Sequence, residues 1–404
     1  MSTDTYLPDA EWRSRPGLAE LLDVLGGRQG QIRFVGGAVR DTLLSLPVAD
    51  IDCATVLLPQ EVLDRVRQAG LKAVPTGIAH GTITAVTPGG PVEVTTLRRD
   101  VSTDGRRATV AFTEDWQEDA ARRDFTINAL SAEPVSGRIH DYFGGLADLC
   151  QGRVRFIGEP LTRIAEDHLR ILRFFRFHAR FGKGAPDADA LAACAARAND
   201  LMALSRERIA DELLKLLAVE DPAPAFATML EHGIWRPVLP EIDLQGLARL
   251  RALIERERAA GLGPDPLRRL AALLPPDPPL ATALAVRLKL SNAAQRRLAA
   301  AAGRTEEVEP LRALAYRLGR EEAIDRLLLS ERDVAALAEL EGWDRPRLPL
   351  GGGDLIAMGL PAGPVVAKTL QAVEARWIAE DFPAHARALA LAQEAVDQLL
   401  RPAQ

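Results

Sequence analysis

The 404-residue sequence predicts an α/β head joined to a long all-α remainder. Up to about Gly145, short apolar strand-like segments alternate with helix-like pieces, the pattern of a sheet carrying helices on its faces. From about Leu161 to Gln404 strand signals vanish, and Leu, Ala, Arg and Glu recur at helical spacing. A hydrophobic content of 47% marks a globular chain, long enough for two or more cores.

Taken in order, the strand candidates are Ile32–Val35, Asp50–Ala54, Thr82–Thr87, Val92–Leu97 and Arg138–Tyr142. Pro88-Gly89-Gly90-Pro91 reads as a turn, which makes the third and fourth candidates a hairpin. Arg98 to Ala121, polar and glycine-containing, reads as a long mobile loop. Two breaks interrupt the helical half: Gly261 to Pro279, rich in proline, and Pro346 to Gly353, ending in three glycines. No clean fixed-period repeat points to a solenoid.

The formal charge of −6 is mildly acidic, so a nucleic-acid surface has to be a local basic patch. No apolar run of about 18 residues exists to span a membrane, and the N-terminus lacks the basic start and apolar core of a signal peptide. Cys53, Cys150 and Cys194 are odd in number and far apart, which fits a reducing cytoplasm and argues against structural zinc. Composition alone does not suggest an enzyme acting on RNA.

Three charged constellations carry the chemistry. The first runs from Arg33 to Thr55, RFVGGAVRDTLLSLPVADIDCAT. On a strand, Asp50 and Asp52 point to the same side, so both carboxylates face one place, an arrangement suited to a pair of Mg²⁺ ions. Gly36 and Gly37 lead from a strand into a helix, where backbone N–H groups approach a phosphate closely and Arg40 adds charge one turn on. Phosphates on one side and metals on the other read as nucleotidyl transfer. The pattern resembles the nucleotidyltransferase superfamily to which DNA polymerase β belongs.

The second constellation is Arg122-Arg123-Asp124-Phe125-Thr126-Ile127-Asn128-Ala129, with Phe125 and Ile127 set to bury. Arginine binds phosphate oxygens bidentately and never deprotonates, while Asp124 is able to accept from ribose hydroxyls. A surface ion pair is the competing reading of this segment. The third runs from Glu166 to Phe177, EDHLRILRFFRF. On one continuous helix Glu166, Arg170 and Arg173 share a narrow sector, and Asp167 lies one turn before Arg170. An Asp accepting from an exocyclic amine beside an Arg donating to the neighbouring ring acceptor suits cytosine and adenine and clashes with uracil and guanine. A charged solvent-facing helix reads the same way. Arg176, half a revolution from Asp167, suits phosphate better than a base edge.

These three motifs occur in the order seen in class II tRNA nucleotidyltransferases, the CCA-adding enzymes whose relatives include the bacterial poly(A) polymerases. Asp141–Leu149 resembles the family's hinge motif, Ser205–Leu213 its neck motif and Leu350–Gly359 its tail segment. The resemblance implies a polymerase β-like head (residues 1–145, catalytic), a nucleotide-selecting helical neck (146–220), and a tRNA-binding body and tail (221–404). It implies that Asp50 and Asp52 hold Mg²⁺, that Gly37 and Arg40 contact the triphosphate, and that Arg123 and Asp124 meet phosphates and sugar. Asp167 and Arg170 become the base template, with Arg173 and Arg176 completing the nucleotide pocket. Glu93, on the neighbouring hairpin, is a candidate third carboxylate.

CCA addition from CTP and ATP is the best reading among the relatives. Poly(A) or single-A addition is the runner-up, and a non-catalytic RNA-binding relative is the alternative from another class. The long Arg98–Ala121 segment favours competence for A addition, since CC-adding relatives have a shortened loop. Arg297, Arg304, Arg312 and Arg317 are possible contacts to tRNA phosphates. The sequence does not reveal the oligomeric state.

Overall fold

A computed structural model describes residues 5–103, 108–304 and 309–400. The chain divides into two compact units, Met1–Pro240 and Glu241–Gln404. In the first, helix α1 (Leu18–Val24) precedes β1 (Ile32–Val35), α2 (Gly37–Leu43), β2 (Ile51–Thr55) and α3 (Pro59–Gln68). Then come β3 (Lys72–Gly77), β4 (Thr82–Thr87), β5 (Gly90–Thr96), β6 (Arg98–Thr103), β7 (Ala108–Phe112), α4 (Trp116–Ala121), β8 (Ser131–Ala132) and β9 (Ile139–His140). Seven strands form one mixed sheet in the order β3-β4-β5-β2-β1-β8-β9, with β2 and β5 parallel and the other pairs antiparallel.

The β4–β5 hairpin forms as its turn residues dictate, Thr87 pairing with Gly90 across Pro88-Gly89. Strand β3 was not expected from the sequence, because Pro75 interrupts it. It lies at the sheet edge, where the missing N–H of a proline is tolerated, and its register shifts between Val74 and Gly77. The expected mobile loop from Arg98 is corrected: β6 and β7 pair antiparallel as a separate two-stranded sheet and α4 follows. Residues Asp104, Gly105, Arg106 and Arg107 of that segment lie outside the described residues.

The remainder of this unit is helical: α5 (Gly145–Gln151), α6 (Pro160–Glu166), α7 (Arg170–Phe181), α8 (Ala188–Ala196), α9 (Arg206–Leu217) and α10 (Ala223–Glu231). The expected continuous helix through Glu166–Phe177 is broken. Helix α6 stops at Glu166, Asp167 is extended (φ −152°, ψ 106°), and α7 starts at Arg170. The Asp167 carboxylate accepts the Leu169 N–H at 3.1 Å, so the aspartate restarts the chain for α7 instead of lying on a helix face. Helix α7 buries Ile171, Leu172, Phe174, Phe175 and Phe177. Phe125 packs against Phe156, Phe174 and Phe177, with ring centroids 5.0, 6.4 and 5.1 Å away. This aromatic cluster clamps the Arg-Arg-Asp-Phe segment onto α7 and fixes the charged residues on either side of it.

The second unit contains α11 (Leu244–Ala259), α12 (Pro266–Leu273), α13 (Pro278–Arg287), α14 (Asn292–Ala302), α15 (Leu311–Leu318), α16 (Arg320–Leu328), α17 (Gly352–Ala357), α18 (Pro364–Ala379) and α19 (His385–Leu400). The break read at Gly261–Pro279 holds α12 within it. Pro266 opens that helix at a position needing no N–H donor, and Asp265 caps it by accepting the Arg268 N–H at 2.9 Å. The break at Pro346–Gly353 follows a short 3₁₀ segment that ends at Leu340, and its last two glycines open α17.

Candidate active site

Where β1 ends, the backbone turns at Gly36 with φ 64° and ψ −120°, a conformation open to glycine, and enters α2. A Cβ on Gly36 would stand 3.2 Å from a guanidinium nitrogen of Arg123. The absence of a side chain at Gly36 therefore lets the Arg123 guanidinium lie close over the strand-to-helix turn. A cavity of about 390 Å³ opens here, lined by Gly36, Gly37 and Arg40 on the head side and by Asp167, Arg170, Arg173 and Phe177 on the helical side. Asp52, Arg123, Asp124 and Asn128 complete it.

Eight of the ten predicted site residues thus converge: Gly37, Arg40, Asp52, Arg123, Asp124, Asp167, Arg170 and Arg173. Asp50 and Arg176 do not line this cavity. Asp50 precedes the first paired residue of β2 and is exposed, so strand alternation does not govern its side chain. Arg176 is drawn away by Glu212 on α9, a buried carboxylate that accepts its Nε at 2.6 Å. Sequence reasoning missed Glu212, Asn128, Asp119 and Arg208. The motif Arg-Arg-Asp-Phe-Thr-Ile-Asn pointed at Asn128, whereas Glu212 and Arg208 lie 36 and 41 residues from their partners.

Arg40 is buried against Phe181, 4.2 Å from the ring centroid, and its Nε donates to Asp41 at 2.8 Å while Nη1 donates to the Asn128 side chain. Burial lowers its pKa, partly offset by Asp41. The Asn128 amide also donates to Asp124 Oδ1 at 2.9 Å. Asp124 is nearly inaccessible, and its Oδ2 receives both Nε (2.8 Å) and Nη2 (2.5 Å) of Arg173. Burial alone would raise the Asp124 pKa. The Arg173 charge and hydrogen bonds from Asn128, Arg173 and the Phe125 N–H outweigh burial and bring it below the ordinary aspartate value. With four donors already around this carboxylate, a ribose hydroxyl reaches it only by sharing or displacing one.

The Asp167 carboxylate keeps acceptor capacity, although Arg208 Nη2 on α9 donates to its Oδ2 at 2.7 Å. Arg170 donates to Glu166, to the Arg163 carbonyl at 2.8 Å and to the Arg122 carbonyl at 3.3 Å. Arg163 in turn donates to the carbonyls of Arg122 and Arg123, the former at 2.6 Å. Two arginines of the helical part therefore grip the backbone of the head immediately before Asp124.

Asp52 and Glu93 are partners across the parallel β2–β5 pair. Burial raises the Asp52 pKa, the negative charges of Glu93 and Asp50 raise it further, and Arg123 opposes them. Among the described residues, no three His, Cys, Asp or Glu side chains stand ready-grouped around a metal position. The donor set nonetheless fits a hard divalent cation: all-oxygen ligands whose mutual repulsion a cation relieves. Neither Cys53 nor Cys194, both buried, joins this set, and burial pushes both thiols well above the usual range.

The four arginines named as possible tRNA contacts all make contacts within the second unit. Arg297 holds Asp325 (2.7 Å) and Asp265 (2.8 Å), and Arg304 donates to the carbonyls of Ala271 and Leu274. Arg312 donates to the Glu339 carbonyl and Asp381, and Arg317 to Glu309. Arg297 reads as a surface cation in sequence because its acidic partners, Asp325 and Asp265, lie 28 and 32 residues away. No helix among the described residues is long and apolar enough to cross a membrane.

Residues 32–155 match the family described as poly A polymerase head domain, and residues 185–245 the one described as "Probable RNA and SrmB- binding site of polymerase A". The chain is 35% identical over 378 residues to the mitochondrial CCA tRNA nucleotidyltransferase 1 of Mus musculus, covering 89% of this chain and 86% of that protein. It is 33% identical to the CCA-adding enzyme of Limosilactobacillus fermentum over 83% of this chain and 86% of that one. The crystal structure of the Bacillus stearothermophilus CCA-adding enzyme in complex with CTP superposes with a TM-score of 0.76 at 26% identity, covering 97% of this chain and 99% of that chain.

Proposed function

This chain belongs to the CCA tRNA nucleotidyltransferase family, and from that premise we propose that it adds the 3′-terminal CCA to tRNA, taking CTP and ATP in the cavity between head and neck. The observation that carries the reading is the convergence of Asp52, Arg123 and Arg40 with the Asp167–Arg170 pair around one opening. Its two kinds of wall, basic and carboxylate on the head side and a hydrogen-bonding pair on the helical side, match the two ends of a nucleoside triphosphate.

Arg123 and Arg40 face the triphosphate and neutralise charge that grows on the departing pyrophosphate. Asp52, with Asp50 and Glu93 as the further carboxylates whose charge reaches it, would hold Mg²⁺. The bound cation supplies charge stabilisation at the transferred phosphorus and activation of the attacking 3′-hydroxyl. Asp167 accepts from the exocyclic amine of cytosine or adenine, and Arg170 donates to the adjacent ring acceptor. Arg208 and the Glu166 contact hold these two groups in place. Asp124 orders Arg173 at the pocket wall. Residues 1–145 serve as the catalytic head, 146–220 as the nucleotide-selecting neck and 221–404 as the part that engages tRNA. The three unpaired cysteines support a cytoplasmic, reducing setting.

The test is product identity. Transcripts of tRNA lacking CCA, or ending in one or two C residues, are incubated with CTP, ATP and Mg²⁺, and their 3′ ends are sequenced. Completion to CCA from all three starting points is expected. A alone on the transcript ending in two C residues means an A-adding enzyme, long A tails mean a poly(A) polymerase, and no extension supports a non-catalytic RNA-binding relative.

A further inference from the structure

Asp119, on α4, lies outside the cavity, and no step proposed above uses it. Its side chain is nevertheless almost fully buried, 2% exposed. Oδ1 accepts the backbone N–H of Arg98, the first residue of β6, at 3.2 Å and Nε of Arg122 at 2.8 Å. Oδ2 accepts Nη2 of Arg123 at 3.3 Å. Burial opposes the charge on this carboxylate, but Arg122 and Arg123 outweigh it and keep the group ionised.

Arg98 and Arg123 belong to different parts of the head. Arg98 is the root of the β6–β7 hairpin: the preceding Leu97 donates to Thr55 at the end of β2 (2.7 Å) and accepts from Thr113 just beyond β7 (3.0 Å). The Arg98 side chain reaches the His80 carbonyl. Arg123 lies over Gly36 in the cavity, with its charge opposing those around Asp52. One buried carboxylate therefore joins the hairpin root to the arginine that faces the carboxylate end of the cavity.

We propose that Asp119 is a positioning residue that holds Arg123 in place for the nucleotide and couples that placement to the root of the β6–β7 hairpin. The proposal rests on the nucleotide-binding reading of the cavity. An arginine side chain is rotamer-rich, and ordering it before the ligand arrives removes a cost from binding. A shift of the hairpin root moves Oδ1, and through the same carboxyl group moves the acceptor that Arg123 uses.

The test compares the full chain with Asp119→Asn and Asp119→Ala in steady-state addition of CTP, with thermal unfolding and amide hydrogen exchange measured alongside. Asn keeps the size and one acceptor for the Arg98 N–H but loses the charge that both arginines use. KM for CTP is expected to rise about tenfold in Asp119→Asn while kcat falls by no more than about threefold. A role in folding alone lowers the active fraction, and so kcat, at unchanged KM; that result overturns the positioning claim. Asp119→Ala removes the hairpin's acceptor too, and amides of Arg98–Thr103 and Ala108–Phe112 are expected to exchange faster than in Asp119→Asn. Equal exchange in the two variants overturns the coupling. Because exchange needs no activity, a wild-type chain that extends no tRNA refutes the proposed function, while the coupling is still decided by the exchange data.

Discussion

Arg173 on α7 donates through both Nε and Nη2 to a single oxygen of Asp124, 49 residues earlier in the chain, at 2.8 and 2.5 Å. This fork joins the neck to the head at the wall of the proposed nucleotide pocket. Replacing Arg173 by Ala leaves a buried carboxylate without its cation. The expected cost is about 2–3 kcal/mol, at the low end for breaking a buried pair because solvent still reaches Arg173. Denaturant unfolding of Arg173→Ala against wild type measures it, and a loss below about 0.5 kcal/mol contradicts the assignment.

The same pair sets a pH dependence. The folded-state pKa of Asp124 is depressed, so its stabilising contribution is present above the unfolded value of about 3.9 and is lost as pH falls through the lower folded value. In Arg173→Ala the dominant influence left on Asp124 is burial, which favours its neutral form. The difference in Tm between wild type and Arg173→Ala is therefore expected to narrow as pH falls from 7 towards 3. A gap that stays constant contradicts the pairing.

Arg176 makes a contrast with Arg173 only three residues away. Its contacts are with Glu212 and the Phe177 ring, 4.5 Å from the centroid. Arg176→Ala is expected to lower Tm, because the buried Glu212 keeps only the more distant Arg173, at 3.6 Å, while shifting KM for CTP less than about threefold. An equal rise in KM for Arg173→Ala and Arg176→Ala, measured in the same assay, places Arg176 at the nucleotide after all.

Arg208 steadies Asp167 from α9, at 2.7 Å. Without it the Asp167 carboxylate loses a fixed orientation, and the choice between bases weakens before chemistry does. Arg208→Ala is expected to reduce the preference for CTP over UTP by about 3–10-fold. Competition between the two nucleotides in one reaction reads that ratio, and an unchanged ratio removes Arg208 from base selection.

Much of this site was legible in the sequence because its motifs occur together. A double glycine before a helix, an Asp-x-Asp and an Arg-Arg-Asp followed by apolar residues each have commoner uses alone, and it is their order and spacing that narrowed the reading. Phe125 and Ile127 were read as buried and are. What stayed hidden was decided by distant partners. Glu166 to Phe177 has unbroken helical spacing with no glycine or proline, and the only local hint that Asp167 is extended is that an aspartate is able to cap the backbone just after it. That break depends on Arg208 and on the Asp167 carboxylate capping its own backbone. Arg176 was read as a phosphate contact, and only the tertiary fold shows Glu212 beside it. Arg297 looked like a surface cation until Asp325 and Asp265 closed around it. Strand β3 was obscured by Pro75, which only an edge position permits.

The central claim is that Asp52 and the arginines around it perform nucleotidyl transfer, and single-turnover CTP addition to a tRNA transcript lacking CCA tests it most directly. Wild type and Asp52→Ala are compared at saturating nucleotide and Mg²⁺. The variant is expected to be slower by about 10³-fold or more. Its Tm should be unchanged or higher, since a carboxylate crowded by Glu93 and Asp50 has been removed. A folded Asp52→Ala protein that adds CTP within tenfold of the wild-type rate would contradict it.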